Sequence, residues 1–306
     1  MSKQWRIIIN LAVLLLVGGF VVYMFVLIND KTVEYGEISE EQSNFLSPCT
    51  LEATYVLPPK VQRLRLSDNC IHVATSDSIL VFSKDNMLCI NRFYAGKNIK
   101  DIAIDSIKGE IYTLYDTEIK VFAQNGQPVR EWEACSDNSL YASIALTENH
   151  VWVTDAENLN VCQYSKEGQF IRFINSPRNF IIPTGTFGIE TFRDTVWCIN
   201  SGRHQIENYT VEGKFIASFG VPGSRPGTFS GCSNPSSIAF TPEGQILTSE
   251  KGNPRVCLFE RSGRFIRMLL NSKSLGGGHE AYEIQMESDK IYVAGNRSLT
   301  VFQYKE

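Results

Sequence analysis

Histidine is scarce in this chain. The four present, His72, His150, His204 and His279, show neither H-x-H nor H-E-x-x-H spacing, which excludes the helical zinc-hydrolase signature. Eight cysteines include no C-x-x-C pair, so zinc-ribbon and thioredoxin-type motifs are also excluded. No G-x-S-x-G elbow and no glycine-rich phosphate loop occurs, leaving no signature for acyl or phosphoryl transfer. Lys and Arg are scattered and the net charge is −4; without a basic stripe, nucleic acid is not an expected partner. After residue 30 no stretch sustains helical periodicity, which argues against a helical architecture.

What is present begins with an apolar run, IIINLAVLLLVGGFVVYMFVLI (7–28), whose only strongly polar member is Asn10. At about 1.5 Å per residue, a helix of that length spans a hydrocarbon core of roughly 30 Å. Trp5 and Tyr23 stand toward its ends, where amphipathic rings favour the interface. Lys3 and Arg6 precede it; Asp30, Glu34, Glu37, Glu40 and Glu41 follow, with Lys31 the only cation among them. The positive-inside rule then predicts residues 1–6 in the cytoplasm, a transmembrane signal anchor over 7–28, and everything beyond on the outer side of the cell (inner) membrane. A cleaved signal peptide is disfavoured by the length of the run and the want of an A-x-A-like site. Residues 29–50 are acidic and aperiodic and read as a tether.

Residues 51–306 are organised by a repeat. Five phrases share one form: VFSKDNMLCINRF from Val81, VFAQNGQPVREW from Val121, VCQYSKEGQFIRF from Val161, IENYTVEGKFIASF from Ile206 and VCLFERSGRFIRML from Val256. Each is a strand, a tight turn and a strand. Gly126, Gly168, Gly213 and Gly263 supply the turn, since glycine reaches positive φ without strain. In the Val81 copy Asn86 is expected to do so. A sixth start, VFQYKE, follows at Val301, and two further strand signals precede each phrase. The starts lie 40, 40, 45, 50 and 45 residues apart, the period of a four-stranded propeller blade. The sixth copy lacks its outer strand, and the β-rich LEATYVL (51–57) is unused. An all-β, six-bladed β-propeller closed by that N-terminal strand, preceded by one transmembrane helix, is therefore expected.

The stretch GTFSGCSNPSSIAF followed by EGQILTSEKGNPRVCLFERSGRFI (227–266) resembles an NHL repeat. Asn234-Pro235 stands before Ile238-Ala239, and Asn253, Arg255 and Val256 precede an aromatic strand and a glycine turn. Residues 149–171 match more loosely, with Asp155 and Asn158 but no arginine, and Glu250 stands where the family usually has Asp. The resemblance implies a propeller whose members mostly bind proteins, RNA or carbohydrate, with a few enzymes among related six-bladed folds.

Candidate site residues fall into three groups. Long inter-blade loops carry Arg178 and Phe180 (175–185), Arg225 and Phe229 (220–236) and His279 (271–281), residue types suited to binding a partner. Aligned inner strands bring Arg63, Asp101, Ser143, Thr186, Ser237 and Glu283 toward the axis, where Arg63, Asp101 and Glu283, with Glu250, would form a charged channel-mouth cluster. A ring of Asp77, Asp116, Asp155, Asn200, Glu250 and Asn296 follows the second strands, where such residues commonly cap turns. Cys49, Cys135 and Cys232 lie in loops and are disulfide candidates, while His72 and His150 would open equivalent second strands. Together these features predict a single-pass, extracytoplasmic propeller that binds a protein or ligand through its loop face. No catalytic residue, metal site or cofactor is expected on that reading. The alternative is a metal-dependent hydrolase or lyase with a calcium-type site of carboxylates at the channel mouth.

Overall fold

A computed structural model describes Trp5, residues 17–20, 46–231, 233–295 and 297–305. Two compact units divide the chain, Met1–Leu46 and Ser47–Glu306. In the first, Trp5 and residues 17–20 are helical. Apart from 17–20, the apolar run 7–28 lies outside the described residues, as does the tether up to residue 45. Among the described residues no helix is long and apolar enough to cross a membrane.

The second unit is six four-stranded antiparallel sheets. Blades 1 to 5 occupy residues 63–94, 101–133, 141–174, 189–219 and 237–270, each with its strands in chain order. Blade 6 takes three strands from residues 283–304 and its outermost from Cys49–Val56. That strand pairs with Ser298–Tyr304 from Cys49↔Tyr304 to Val56↔Ser298, so the ring closes between distant parts of the chain. The closing strand starts at Cys49, two residues before the expected boundary.

The middle strands of each blade are mostly buried on both faces and largely apolar, as in SILVFS, the third strand of blade 1. The outer strands of blades 1 and 2, CINRFY and PVREWE, alternate because only one face packs on the neighbouring blade. Seams between blades form the core. Tyr112, Tyr141, Cys162 and Tyr164 fill the seam of blades 2 and 3, and Trp152, Phe187, Cys198 and Tyr209 that of blades 3 and 4.

The turn glycines do more than turn. A Cβ on Gly168 (φ 90°) would stand 2.7 Å from the ring of Trp132, on the outer strand of the preceding blade. On Gly263 (φ 87°) it would stand 2.3 Å from Phe219. Each glycine therefore satisfies a backbone and a steric demand at once, and seats its turn on the previous blade. In blade 1 the residue at positive φ is Met87 (φ 57°), not Asn86. Asn86 instead accepts the Leu88 N–H at 3.0 Å through Oδ1 and fixes the turn from its side chain. His72 and His150 are not equivalent. His72 pairs with Arg65 in the register that Trp152 and Trp197 occupy in other blades, and His150 precedes that register by two residues.

Two faces result. Inter-blade connectors share one, the loop face, with the loops after second strands: Ala95 N–H donates to Asp77 O at 3.0 Å, and Gly202 N–H to Ile181 O at 2.8 Å. The remaining turns share the opposite turn face, where Lys84 N–H donates to Asn69 O at 3.0 Å.

Candidate functional site

At the loop-face end of the axis, Arg63 gathers three blades. Its Nε and Nη2 donate to Asp101 Oδ1 and Oδ2 at 2.6 and 2.7 Å, and Nη1 donates to Glu283 Oε2 at 2.6 Å. Ser143 Oγ accepts from Arg63 Nη2 at 2.9 Å and donates to Asp101 Oδ2 at 2.5 Å. The fully buried Asp101 also accepts the Ile102 and Ile144 N–H groups at 2.6 and 2.9 Å. Burial alone would lower the Arg63 pKa, but Asp101 and Glu283 outweigh it and hold it above its ordinary value. Blade 4 supplies Gly188 at the equivalent position rather than Thr186, since the Gly188 carbonyl receives Ile199 N–H at 2.9 Å.

One layer further in lies a pair that the alignment did not bring out. Arg65 Nη1 reaches Glu190 Oε2 at 3.2 Å, linking blades 1 and 4 across the axis. Burial is the main influence on Glu190 and raises its pKa, with Arg65 and Arg63 pulling the other way. The sequence did carry a signal: the same layer is Ala103, Ala145 and Ala239 in blades 2, 3 and 5, small residues that leave room for the crossing. The axial carboxylates thus already hold their counter-charges.

Glu250 is not part of this cluster. It faces Arg255 directly across its strand pair, fully buried, with contacts of 2.5 and 3.0 Å. Arg255 then donates to Ser224 O and Thr228 O at 2.7 and 2.8 Å, and Ser230 N–H reaches Glu250 at 3.2 Å. Asp155 accepts Leu140 N–H at 3.0 Å and Asn200 accepts Ile181 N–H at 2.9 Å. In three blades, then, the residue ending the second strand fastens the connector entering its own blade. Asn234, from the NHL-like stretch, does similar work: it accepts Lys251 N–H and donates to Lys251 O, both at 2.9 Å. Asn296 lies outside the described residues.

The loop candidates separate by burial. Phe180 is 2% exposed, its ring 4.7 Å from Phe187, and Phe229 is 0% exposed, 5.9 Å from Phe259. Both fold into seams because burying such a side chain contributes about 1.5–3 kcal/mol, so neither presents its ring to a partner. Arg225 is exposed in a loop closed by a parallel bridge of Pro222 and Phe229, in which Phe229 N–H donates to Val221 O at 2.9 Å. That loop runs along blade 5, where Gly227 abuts Phe265. Arg178 and His279 are exposed on connectors, and His279 Nδ1 donates to Gly252 O at 2.5 Å. Among the described residues no three His, Cys, Asp or Glu side chains are grouped to hold a metal ion. Cys49 and Cys135 carry free thiols, with Cys135 Sγ 3.7 Å from Cys162 Sγ, while Cys232 lies outside the described residues.

No family model and no curated protein matches the chain. Solved structures do. The WD40 repeats of RRP9 are 11% identical, with a TM-score of 0.60 over 84% of this chain and 100% of that one. A catalytically inactive virginiamycin B lyase from Staphylococcus aureus with quinupristin is 18% identical, with a TM-score of 0.58 over 80% and 81%. The WD40 β-propeller domain of Doa1 is 12% identical, with a TM-score of 0.54 over 84% and 98%. Likeness at these identities is a likeness of fold, and it agrees with the sheets described above: the chain is an all-β propeller of six four-stranded blades.

Proposed function

We propose that the protein is a single-pass, membrane-anchored scaffold whose propeller stands outside the cytoplasm and binds a protein partner through its loop face. The contrast between axis and rim carries this reading. The axial charges are spent on one another, whereas Arg178 stands exposed on a connector fastened from beneath by Asn200, and His279 stands exposed beside Gly252. A fixed backbone with exposed side chains suits recognition. The charge asymmetry about residues 7–28 supports the anchor, and the NHL-like stretch supports a binding role. The test is cross-linking in intact membranes followed by affinity capture, comparing wild type with Arg178→Ala/His279→Ala. The expected result is membrane-fraction protein carrying a partner that the variant depletes. Recovery without a partner, or from the soluble fraction, overturns the proposal.

A further inference from the structure

The two faces hold their cations differently. On the turn face Lys84 is paired with Glu287 at 2.7 Å, Lys166 with Asp105 at 2.8 Å, Lys290 with Glu52 at 2.7 Å, and Arg264 with Glu260. On the loop face over blades 4 to 6, Arg178, Arg203, Lys251 and Arg297 have no carboxylate partner among the described residues. Contacts make most of this arc continuous. Arg203 donates to Asn179 O at 3.0 Å and to Arg178 O. Thr184 meets Ser233 at 2.6 Å, and Lys251 Nζ lies 3.5 Å from Thr186 Oγ1. Gly252 N–H reaches His279 O at 3.2 Å, and Arg297 follows on the next blade, with the exposed Glu280 beside Gly295 between them.

The opposite side of the same face is acidic. Asp137 and Glu157 are exposed over blade 3, and Asp116 of blade 2 is paired with Lys100 at 2.8 Å. At the boundary stand Leu140, Leu159 and Ile181, 42%, 41% and 43% exposed. Beside a charged arc, such side chains are of the kind that the core of an interface covers.

We infer that the basic arc of Arg178, Arg203, Lys251 and Arg297, with Leu140, Leu159 and Ile181 at its boundary, docks an acidic segment of a partner protein. Charge complementarity selects the occupant. A nucleic acid fits less well: the arc's Phe180, Phe187 and Phe229 are buried, leaving no stacking platform among them, and a uniform polyanion would run onto Asp137 and Glu157.

The inference deepens the scaffold reading and rests on it, and its test fails separately. Full-length protein in an uncharged detergent is titrated with a fluorescent glutamate- and leucine-containing decapeptide, its lysine counterpart and an oligothymidine ten-mer. The acidic peptide should bind best and weaken as salt rises from about 50 to 300 mM. Arg178→Glu/Lys251→Glu/Arg297→Glu should weaken it about tenfold or more, while Lys214→Glu/Arg261→Glu on the turn face leaves it unchanged. Preference for the oligonucleotide, or wild-type affinity in the triple variant, overturns the inference. A cellular partner captured equally by wild type and triple variant also overturns it and leaves the scaffold standing. Capture of no partner by wild type sinks the scaffold, and the peptide titration still decides the charge preference.

Discussion

The two faces of the ring solve opposite problems with the same polypeptide. On the turn face, connections are short, glycines sit on neighbouring aromatic side chains and most cations are paired. On the loop face, connectors are long, fastened from below by Asp155, Asn200 and Glu250, and several cations face outward unpaired. The difference separates cohesion from recognition: one face holds the blades to one another, and the other can change its side chains without loosening them.

Substitutions can break that division, beginning with the ties beneath the loop face. Arg63→Ala leaves Asp101 charged and buried, and should cost about 3–5 kcal/mol in denaturant unfolding. A loss within ~0.5 kcal/mol would mean that the axis does not hold the ring. Gly263→Ala places a Cβ against Phe219 at positive φ and should cost about 2–4 kcal/mol. Gly185→Ala on the loop face, at φ 70° with open space around it, should cost only the backbone strain of about 1 kcal/mol. Equal losses at the two glycines would erase the contrast between the faces.

His72, buried against Ser67 near the turn face, sharpens the contrast through pH. Burial, and secondarily the Lys84 charge, lower its pKa from 6.5 to about 4. The unfolded chain therefore takes up the proton first. The resulting stability is intact above pH ~6.5 and is lost progressively as pH falls toward ~4, by about 3 kcal/mol in all. His72→Leu, the residue blade 5 has at this register, should flatten that slope in unfolding curves measured between those pH values. A slope unchanged by the substitution would assign the acid sensitivity elsewhere. The smallest effect belongs to the loop face: Arg178→Glu should leave stability within about 0.5 kcal/mol, and a larger loss in thermal unfolding would show that the arc is structural.

The propeller was legible because its turn phrase repeats with the spacing of a blade and because one β-rich segment was left over to close the ring. Burial in the connectors was not. Phe180 and Phe229 lie among glycines, prolines and polar residues, and whether such rings face outward depends on a seam built by residues far along the chain. The axial cluster was half legible. Arg63, Asp101, Ser143 and Glu283 align by strand starts, but the connector before blade 4 shifts that count by two, and Glu190 was missed with it. Asn86 misled for a local reason: it favours positive φ by type, yet its side chain settled the turn by accepting a backbone N–H.

The closing strand has a consequence for the order in which the molecule is made. Thr54 and Thr300 meet in one blade but are 246 residues apart. At about 5–20 residues per second, a ribosome takes on the order of 10–50 s to deliver the second after the first. Throughout that interval Cys49–Val56 is a strand without its partner, and any product truncated ahead of Ser298 never receives one. Such a chain keeps an open edge that proteases and chaperones can find, so ring closure doubles as a check that synthesis has passed the strand Ser298–Tyr304.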